Sequence, residues 1–195
     1  MYVPRTLVAL GTAAVIAAVT AGAAPGGAGT AHTAAERPAP GRAAKGPAFA
    51  QLSSAVDQEQ DGRVKPVQFE LVDGRRGVDV TKDSVTVRHP GTYLLVVAPQ
   101  VTTEKGGVQK GKDPTEGCAD TWFAVNDKDV PNSAVRLCQA ATHSTHVVVS
   151  QSVTPLKAGD TVKVRAKGVG VKFDATRPTD GPLIPSVILT LTELS

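Results

Sequence analysis

The sequence predicts an all-β domain, a β-sandwich of two sheets or a jelly roll, preceded by an export signal and a spacer. Three observations predict this fold class. After residue 48, short runs of alternating apolar and polar residues recur, turn-forming residues separate these runs, and no helical apolar stripe lasts for three turns. About eight to ten short strands with regular turns are typical of a sandwich or jelly roll, and we expect about ten.

Residues 1–34 have the composition of a secretory signal peptide. Arg5 is their only charged residue, and an uncharged run rich in Ala, Gly and Thr covers 6–24. The run is poor in Leu and Ile and has no charged stop-transfer cluster after it, which favours a cleaved signal over a membrane anchor. Candidate cleavage sites with small residues lie at 21–23, 29–31 and 32–34. We therefore predict a secreted protein with no membrane span after signal removal.

Residues 35–47 are rich in Ala, Gly and Pro, carry scattered charges and show no apolar periodicity. This composition predicts a flexible linker. The folded domain is accordingly expected over 48–195, which is a normal size for one β-sandwich.

The strands are predicted from a period of two residues, because alternate side chains point to opposite faces of a sheet. Alternation of this kind occurs at 67–71, 85–87 and 162–167. Two runs, 93–98 and 122–125, are apolar on both faces, as is typical of central strands that are covered on both sides. Further apolar runs occur at 147–149 and 187–189. Turns are predicted at 73–74, 90–91, 106–107, 126–127, 158–160 and 180–182.

Cys118 and Cys138 are the only cysteines, and a disulfide is the default state for such a pair in an exported chain. If a hairpin is centred on Lys128, opposed residues have numbers that sum to 256, so Cys118 faces Cys138 and Trp122 faces Ala134. Directly opposed Cβ atoms lie about 4.5–5.5 Å apart, close to bridging distance. The spacing therefore predicts a disulfide that closes the mouth of this hairpin.

Composition argues against nucleic acid as a partner. Aromatic residues make up 4% of the chain, too few for a series of base-stacking platforms. The formal net charge is +3, and a chain that starts at Ala35 has +2, because 20 cations face 18 anions. Such a balance produces no strong field for nucleic acid or an anionic membrane.

No catalytic residue or cofactor is predicted, although one segment resembles a phosphate-binding loop. Residues 106–113 contain its Gly and Lys positions, but Asp113 replaces the hydroxyl residue that holds magnesium, and Pro114 follows where a helix should open. We interpret 102–118 as a long solvated loop, which is a first candidate for partner contact. Its candidate contact residues are Lys105, Lys110 and Lys112.

No metal site is predicted either. His143 and His146 are three residues apart and would lie on opposite faces of a strand, where they could not bind one metal. Asp127 and Asp129 are assigned to a turn. A calcium site there, or at 113–116, is the alternative. The cations of one strand face are interpreted as solvated, with an anionic glycan or partner surface as the alternative: Lys163, Arg165 and Lys167.

Several short motifs occur in a recognisable order. They are Gly-Pro-Ala-Phe-Ala at 46–50, Pro-Gly-Thr-Tyr-Leu-Leu at 90–95, Trp-Phe-Ala-Val-Asn at 122–126, Leu-Lys-Ala-Gly-Asp at 156–160 and an apolar closing strand at 184–194. In this order and spacing they resemble the complement C1q and tumour necrosis factor-like jelly-roll superfamily. Asp127 stands where the family has the Gly of an Asn-Gly hairpin. The Ala- and Gly-rich start indicates a bacterial exported member.

This resemblance implies a secreted, non-enzymatic binding module that forms a homotrimer and recognises an unknown extracellular protein or glycan through loops. It also implies that some apolar residues of the two-faced strands pack in the core or between subunits. The candidates are Tyr93, Leu95, Val97 and Trp122, or their neighbours. Two other classes stay open: a monomeric immunoglobulin-like adhesion or inhibitor domain, and an exported enzyme. Strand order distinguishes the first of these, since in a jelly roll the first and last strands pair centrally in one sheet.

Overall fold

The computed structural model describes residues 46–103, 116–139 and 144–195. Within these ranges the chain forms β-strands and no helix. The strands are β1 (Phe49–Ser54), β2 (Gln58–Asp61), β3 (Lys65–Pro66), β4 (Leu71–Arg76), β5 (Val78–Val80), β6 (Val85–Val87), β7 (Gly91–Thr103), β8 (Cys118–Val125), β9 (Lys128–Asp129), β10 (Val135–Cys138), β11 (Thr145–Val147), β12 (Ser150–Leu156), β13 (Thr161–Phe173) and β14 (Val187–Glu193). The described residues thus contain more strands than the ten expected, because several segments of two or three residues also pair.

The first sheet has the antiparallel order β12–β7–β14–β1–β4. Its central pair joins the first and last strands of the domain, with Leu52 of β1 opposite Leu189 of β14. This is the pairing that distinguishes a jelly roll from an immunoglobulin-like sandwich. The predicted fold class is therefore confirmed.

The second sheet is built around β13, which pairs with β8 along one edge and with β6, β3 and β2 along the other. β10 and β9 extend it beyond β8, and β5 extends it beyond β6. Both β7 and β13 have 13 residues, long enough to leave one sheet and reach the other. Their ends pair at Thr103 and Val171, so the two sheets are continuous at that end.

The core lies between the sheets and consists of the inward residues of every long strand. Tyr93, Leu95, Phe123, Val164 and Leu191 are fully buried there. Burial of one such aliphatic or aromatic side chain contributes about 1.5–3 kcal/mol. The Tyr93 hydroxyl is not left unsatisfied, since it donates a hydrogen bond of 2.9 Å to the carbonyl oxygen of His89. Burial, with a smaller contribution from the negative charge of Glu193, raises the pKa of the Tyr93 hydroxyl.

The strand predicted at 67–71 is wrong, and the burial it predicted is right for Val67 and Phe69 but wrong for Leu71, which is 39% exposed. Val67 and Phe69 are buried, but β3 ends at Pro66 and β4 begins only at Leu71. The ladder is interrupted because the backbone N–H of Gln68 donates to the side chain of Gln58 at 2.9 Å instead of to a strand. The alternating pattern therefore indicated the burial of two side chains, but it could not indicate that the Gln58 side chain accepts the backbone hydrogen bond of Gln68.

The turn predicted at 73–74 is also wrong. Asp73 and Gly74 lie inside β4, where the register against β1 shifts between Gln51 and Leu52. The extra residue forms a β-bulge, and bulges favour the same small and polar residues as turns. The signal in the sequence was real, but it marks an irregularity within a strand.

The predicted register of the cysteine hairpin is confirmed, and the predicted hairpin centre is wrong. Cys118 lies opposite Cys138 and the two form a disulfide, with Cα atoms 4.0 Å apart. The tight turn lies at Asn126 and Asp127, which adopt φ angles of 49° and 63°. β9 pairs with β8 in the register of this turn, and the residues between β9 and β10 shift the pairing before β10 begins.

The double variant Cys118→Ser, Cys138→Ser should fold but melt at a lower temperature. The bridge joins residues 20 apart, and closing such a loop stabilises a protein by about 3 kcal/mol in the chain-entropy model. For a domain of this size that corresponds to about 6–12 °C in melting temperature. Calorimetry with and without reductant measures the shift. Reductant should leave the melting temperature of the double variant unchanged. If reductant does not lower the melting temperature of the wild type either, the bridge does not stabilise the fold.

Candidate functional site

The outward side of the first sheet forms a surface that we call the apolar face. Its members are Leu94, Val96 and Ala98 of β7, Val153 of β12 and Ile188 of β14. Val153 is 60% exposed, and the other four are half-buried. They share one side of the sheet because Leu94 lies opposite Val153 and Ala98 lies opposite Ile188 in the antiparallel ladder.

Alternate residues of β7 belong to the core and to the apolar face. The structure places Tyr93, Leu95 and Val97 in the core, each completely buried, so these three candidates lie between the sheets. Their neighbours Leu94 and Val96 occupy the outward side. Both sets are apolar, and period two alone gives no indication of which set faces the core.

The cross-strand neighbours within the apolar face are uncharged. Val96 lies between Gln151 and Thr190, and Thr190 lies opposite Gln51. The centre of a protein–protein interface is likewise depleted of charged residues, whereas an ordinary solvated surface is not. The composition of the apolar face therefore fits a surface that another protein covers.

The outward side of the second sheet, which we call the charged face, has the opposite character. Lys167 lies opposite Asp120, Arg165 opposite Trp122, and Lys163 opposite Ala124. The candidate residue Trp122 is thus on the outside of the sandwich, half-buried, and not between the sheets.

Three cations of β13, which we call the basic stripe, lie on the charged face: Lys163, Arg165 and Lys167. The carboxylates of the β8–β9 hairpin neutralise part of this stripe. Lys163 Nζ donates to Asp127 Oδ1 at 3.0 Å, while the Arg165 guanidinium donates to both Asp127 Oδ1 and Asp129 Oδ1 at 3.1 Å. The hydrogen bond and charge of Lys163, with a further contribution from Arg165, lower the pKa of the Asp127 carboxyl. Two of the three cations in the stripe therefore have carboxylate partners.

The same contacts bear on the calcium alternative at this turn. Asp127 and Asp129 direct carboxylate oxygens at protein cations. In the part of the chain that the structure describes, no group of three or more His, Cys, Asp or Glu side chains is arranged to hold a metal ion. Asp127 adopts a left-handed conformation, which Asp tolerates better than most residues, and its carboxylate pairs with two cations.

A depression of about 490 Å³ lies on the charged face. Residues of β8 line one side of it, and the first residues of β10, with the residue that precedes β10, line the other. These residues are Asp120, Trp122, Ala134, Val135 and Arg136. Arg136 and Asp120 lie opposite each other and form two hydrogen bonds, Nε to Oδ1 at 2.6 Å and Nη2 to Oδ2 at 2.7 Å. This pair was not among the residues predicted from the sequence. The predicted register nevertheless places it, because two residues along each strand from the Cys118–Cys138 pair, residue 120 lies opposite residue 136.

Other candidates lie outside the described residues. These are the loop lysines Lys105, Lys110 and Lys112, the segment 106–113 that resembles a phosphate-binding loop, and His143. His146 is described, and it lies exposed on β11 opposite Val101.

Comparison with known proteins places the fold. No family model and no curated protein sequence matches this chain. Among solved structures, a crystal structure of murine APRIL at pH 8.5 is similar over 76% of this chain and 100% of that one, with 17% identity and a TM-score of 0.50. A second murine APRIL structure, at pH 8.0, covers the same shares with 15% identity and a TM-score of 0.47.

APRIL is a jelly-roll protein of the tumour necrosis factor family. Together with the strand order described above, the likeness shows that this chain has a TNF-like jelly-roll fold. At 17% identity the likeness concerns the fold. In the described ranges, no helix is both long and apolar enough to cross a membrane.

Proposed function

We propose that this chain is a secreted, non-enzymatic binding module. It assembles into a homotrimer through the apolar face and recognises an extracellular protein or glycan through the surfaces that assembly leaves open. One observation supports the proposal most strongly. The two sheets of the same sandwich have outward sides of opposite chemistry, one apolar and uncharged at its centre, the other rich in ion pairs.

The apolar face is the surface through which subunits would associate. An antiparallel sheet that has one side in water normally alternates apolar and polar residues, yet β7 is apolar on both sides from Tyr93 to Ala98. A contiguous apolar patch on a folded surface marks an interaction site. The three-fold arrangement follows from the family resemblance, and the apolar face supplies the contact area.

Secretion is supported by two independent features. The first 34 residues have the pattern of an export signal, and the domain contains a disulfide between Cys118 and Cys138. Disulfides form and persist in oxidising compartments outside the cytosol. Loop lysines Lys105, Lys110 and Lys112 remain proposed contact residues for the partner.

The shifted pKa values of Asp61 and Asp79 arise in surface ion pairs. Asp61 has its pKa lowered to about 2, chiefly by the hydrogen bond from Lys65. The pKa of Asp79 is lowered chiefly by the hydrogen bond from Arg88, whose own pKa is raised. Both carboxylates lie on the protein surface in ion pairs with neighbouring cations. Perturbed groups of this kind stabilise local structure, whereas an active site brings such groups together in a cleft.

Sedimentation equilibrium of the purified protein tests the assembly. The expected mass is three times that of one chain, with the processed N-terminus determined by mass spectrometry of the same sample. A mass of one chain at all micromolar concentrations would contradict the trimer. A mass of two chains would contradict the three-fold symmetry.

A further inference from the structure

The depression on the charged face contains the only tryptophan of the chain. Trp122 lies on the outward side of β8, between the cross-strand neighbour Arg165 and the depression. Its indole Nε1–H donates to Asp129 Oδ1 at 2.8 Å, which fixes the orientation of the ring. A large aromatic side chain that is held rigidly at a surface loses little conformational entropy when a ligand packs against it.

The polar end of the depression is the Asp120–Arg136 pair. This pair uses two of the five guanidinium N–H donors, and each carboxylate oxygen accepts one hydrogen bond from it. Both side chains therefore retain hydrogen-bonding capacity toward a ligand, Arg136 as a donor and Asp120 as an acceptor. They are partly exposed, at 56% for Arg136 and 27% for Asp120.

The two charged residues that line the depression pair with each other, and Lys167 lies outside its lining. Asp120 pairs with Arg136, and Arg165, next to Trp122, is shared between Asp127 and Asp129. A site of this kind gives an ion no large electrostatic gain, because each charge already has a partner. It suits instead a neutral ligand that presents an apolar surface to the ring and both donors and acceptors to the ion pair.

We propose that this depression binds a neutral sugar ring of an extracellular glycan. The C–H face of a pyranose would pack on Trp122, while two adjacent hydroxyls would donate to Asp120 and accept from Arg136. The inference deepens the proposed binding role and is independent of the trimer. It is also compatible with the trimer, because the depression lies on the sheet opposite the apolar face.

A smaller depression next to this one gives the matched control. Asp120 and Arg136 line both, and Lys167 lines only the smaller one. An acidic sugar would depend on the Lys167 ammonium, whereas a neutral sugar bound against Trp122 would not. Lys167→Ala therefore distinguishes a neutral ligand from an anionic one.

The test has two stages and uses the purified protein. An array of neutral and acidic oligosaccharides is probed first, and the neutral sugars that bind are then titrated while the fluorescence of Trp122 is recorded. Because Trp122 is the only tryptophan, a saturable change in its emission reports binding at this site. We expect Asp120→Asn and Arg136→Gln each to weaken binding by about tenfold, since each replaces a charged hydrogen-bonding group with a neutral amide and breaks the ion pair that orients the remaining partner.

Trp122→Ala, followed by calorimetry because the fluorescent reporter is lost, should abolish measurable binding. Lys167→Ala should leave affinity within about twofold, as a residue outside the contact does. Far-ultraviolet circular dichroism and melting curves verify that each variant is folded, because loss of the only tryptophan changes the near-ultraviolet spectrum by itself. Trp122→Phe, which keeps an aromatic ring, should retain weakened binding.

Three outcomes would overturn the inference: binding of acidic sugars alone, equal losses for Lys167→Ala and Asp120→Asn, or no neutral sugar bound on the array. If no sugar binds while sedimentation still gives a trimer, the glycan inference fails and the proposed module stands. If the protein is monomeric and the sugar binds, the assembly fails and the glycan inference stands.

Discussion

Leu95→Ala should lower the free energy of unfolding by about 2–5 kcal/mol, the range observed when a large aliphatic side chain is removed from a packed core. Leu95 has no exposed surface and lies opposite Leu191 in the middle of the first sheet. β7 has a neighbouring strand on both sides there, so the backbone has little freedom to close the resulting cavity. A domain of this kind has about 5–15 kcal/mol in total, so the loss is a large fraction of it.

Leu94→Ala is the matched control, because it makes the same chemical change one residue earlier on the same strand. Leu94 belongs to the apolar face, opposite Val153 and Thr192, so its removal leaves no cavity in the core. At protein concentrations too low for assembly, its free energy of unfolding should stay within about 1 kcal/mol of wild type. Urea unfolding gives both values. Equal losses for the two variants would contradict the division of β7 into a core side and an outward side.

The sequence pattern of the strand that contains these two leucines predicts the strand itself but not which of its sides faces the core. A strand that is apolar on both sides was predictable at 93–98, but the assignment of sides was not. Period two reports the difference between the two sides of a strand, and that difference vanishes when both are apolar. The odd-numbered residues enter the core because the second sheet, whose strands are distant in sequence, packs on their side of β7.

The cysteine hairpin shows the opposite case, in which a covalent constraint made a long-range register predictable. Requiring Cys118 to face Cys138 also places Asp120 opposite Arg136 and Trp122 opposite Ala134, so the lining residues of the depression were within reach of that arithmetic. The tight turn at Asn126 and Asp127 was not, because the residues between β9 and β10 shift the pairing, and irregular backbone of that kind has no periodic signal.

The ion pairs of the basic stripe were not predictable for a related reason. Lys163, Arg165 and Lys167 appear as three free cations when β13 is considered alone. Lys163 and Arg165 have the carboxylate partners Asp127 and Asp129, which belong to the β8–β9 hairpin, about three dozen residues earlier in the sequence. β13 contacts this hairpin only because it pairs with β8. Charge patterns within one strand therefore predict its solvated side well and its electrostatic character poorly.

Val96→Lys should convert the assembled protein into folded monomers. Val96 is central in the apolar face, with strands β12 and β14 on either side and Gln151 and Thr190 as its uncharged neighbours. An ammonium group placed there would be buried on assembly without a carboxylate partner, and an unpaired buried charge costs several kcal/mol. A penalty of about 3 kcal/mol weakens association by more than a hundredfold.

The monomer should tolerate this lysine, because in the free chain the side chain extends from the outward side of the sheet into water. Sedimentation velocity over a range of concentrations measures assembly, and a melting curve in the monomeric range verifies the fold. Val64→Lys is the matched control: Val64 is 53% exposed and lies between β2 and β3, which flank β13 in the second sheet. This control should assemble as wild type does. If Val96→Lys also assembles normally, the subunits associate through another surface, because no close-packed apolar interface accommodates three unpaired ammonium groups around one axis.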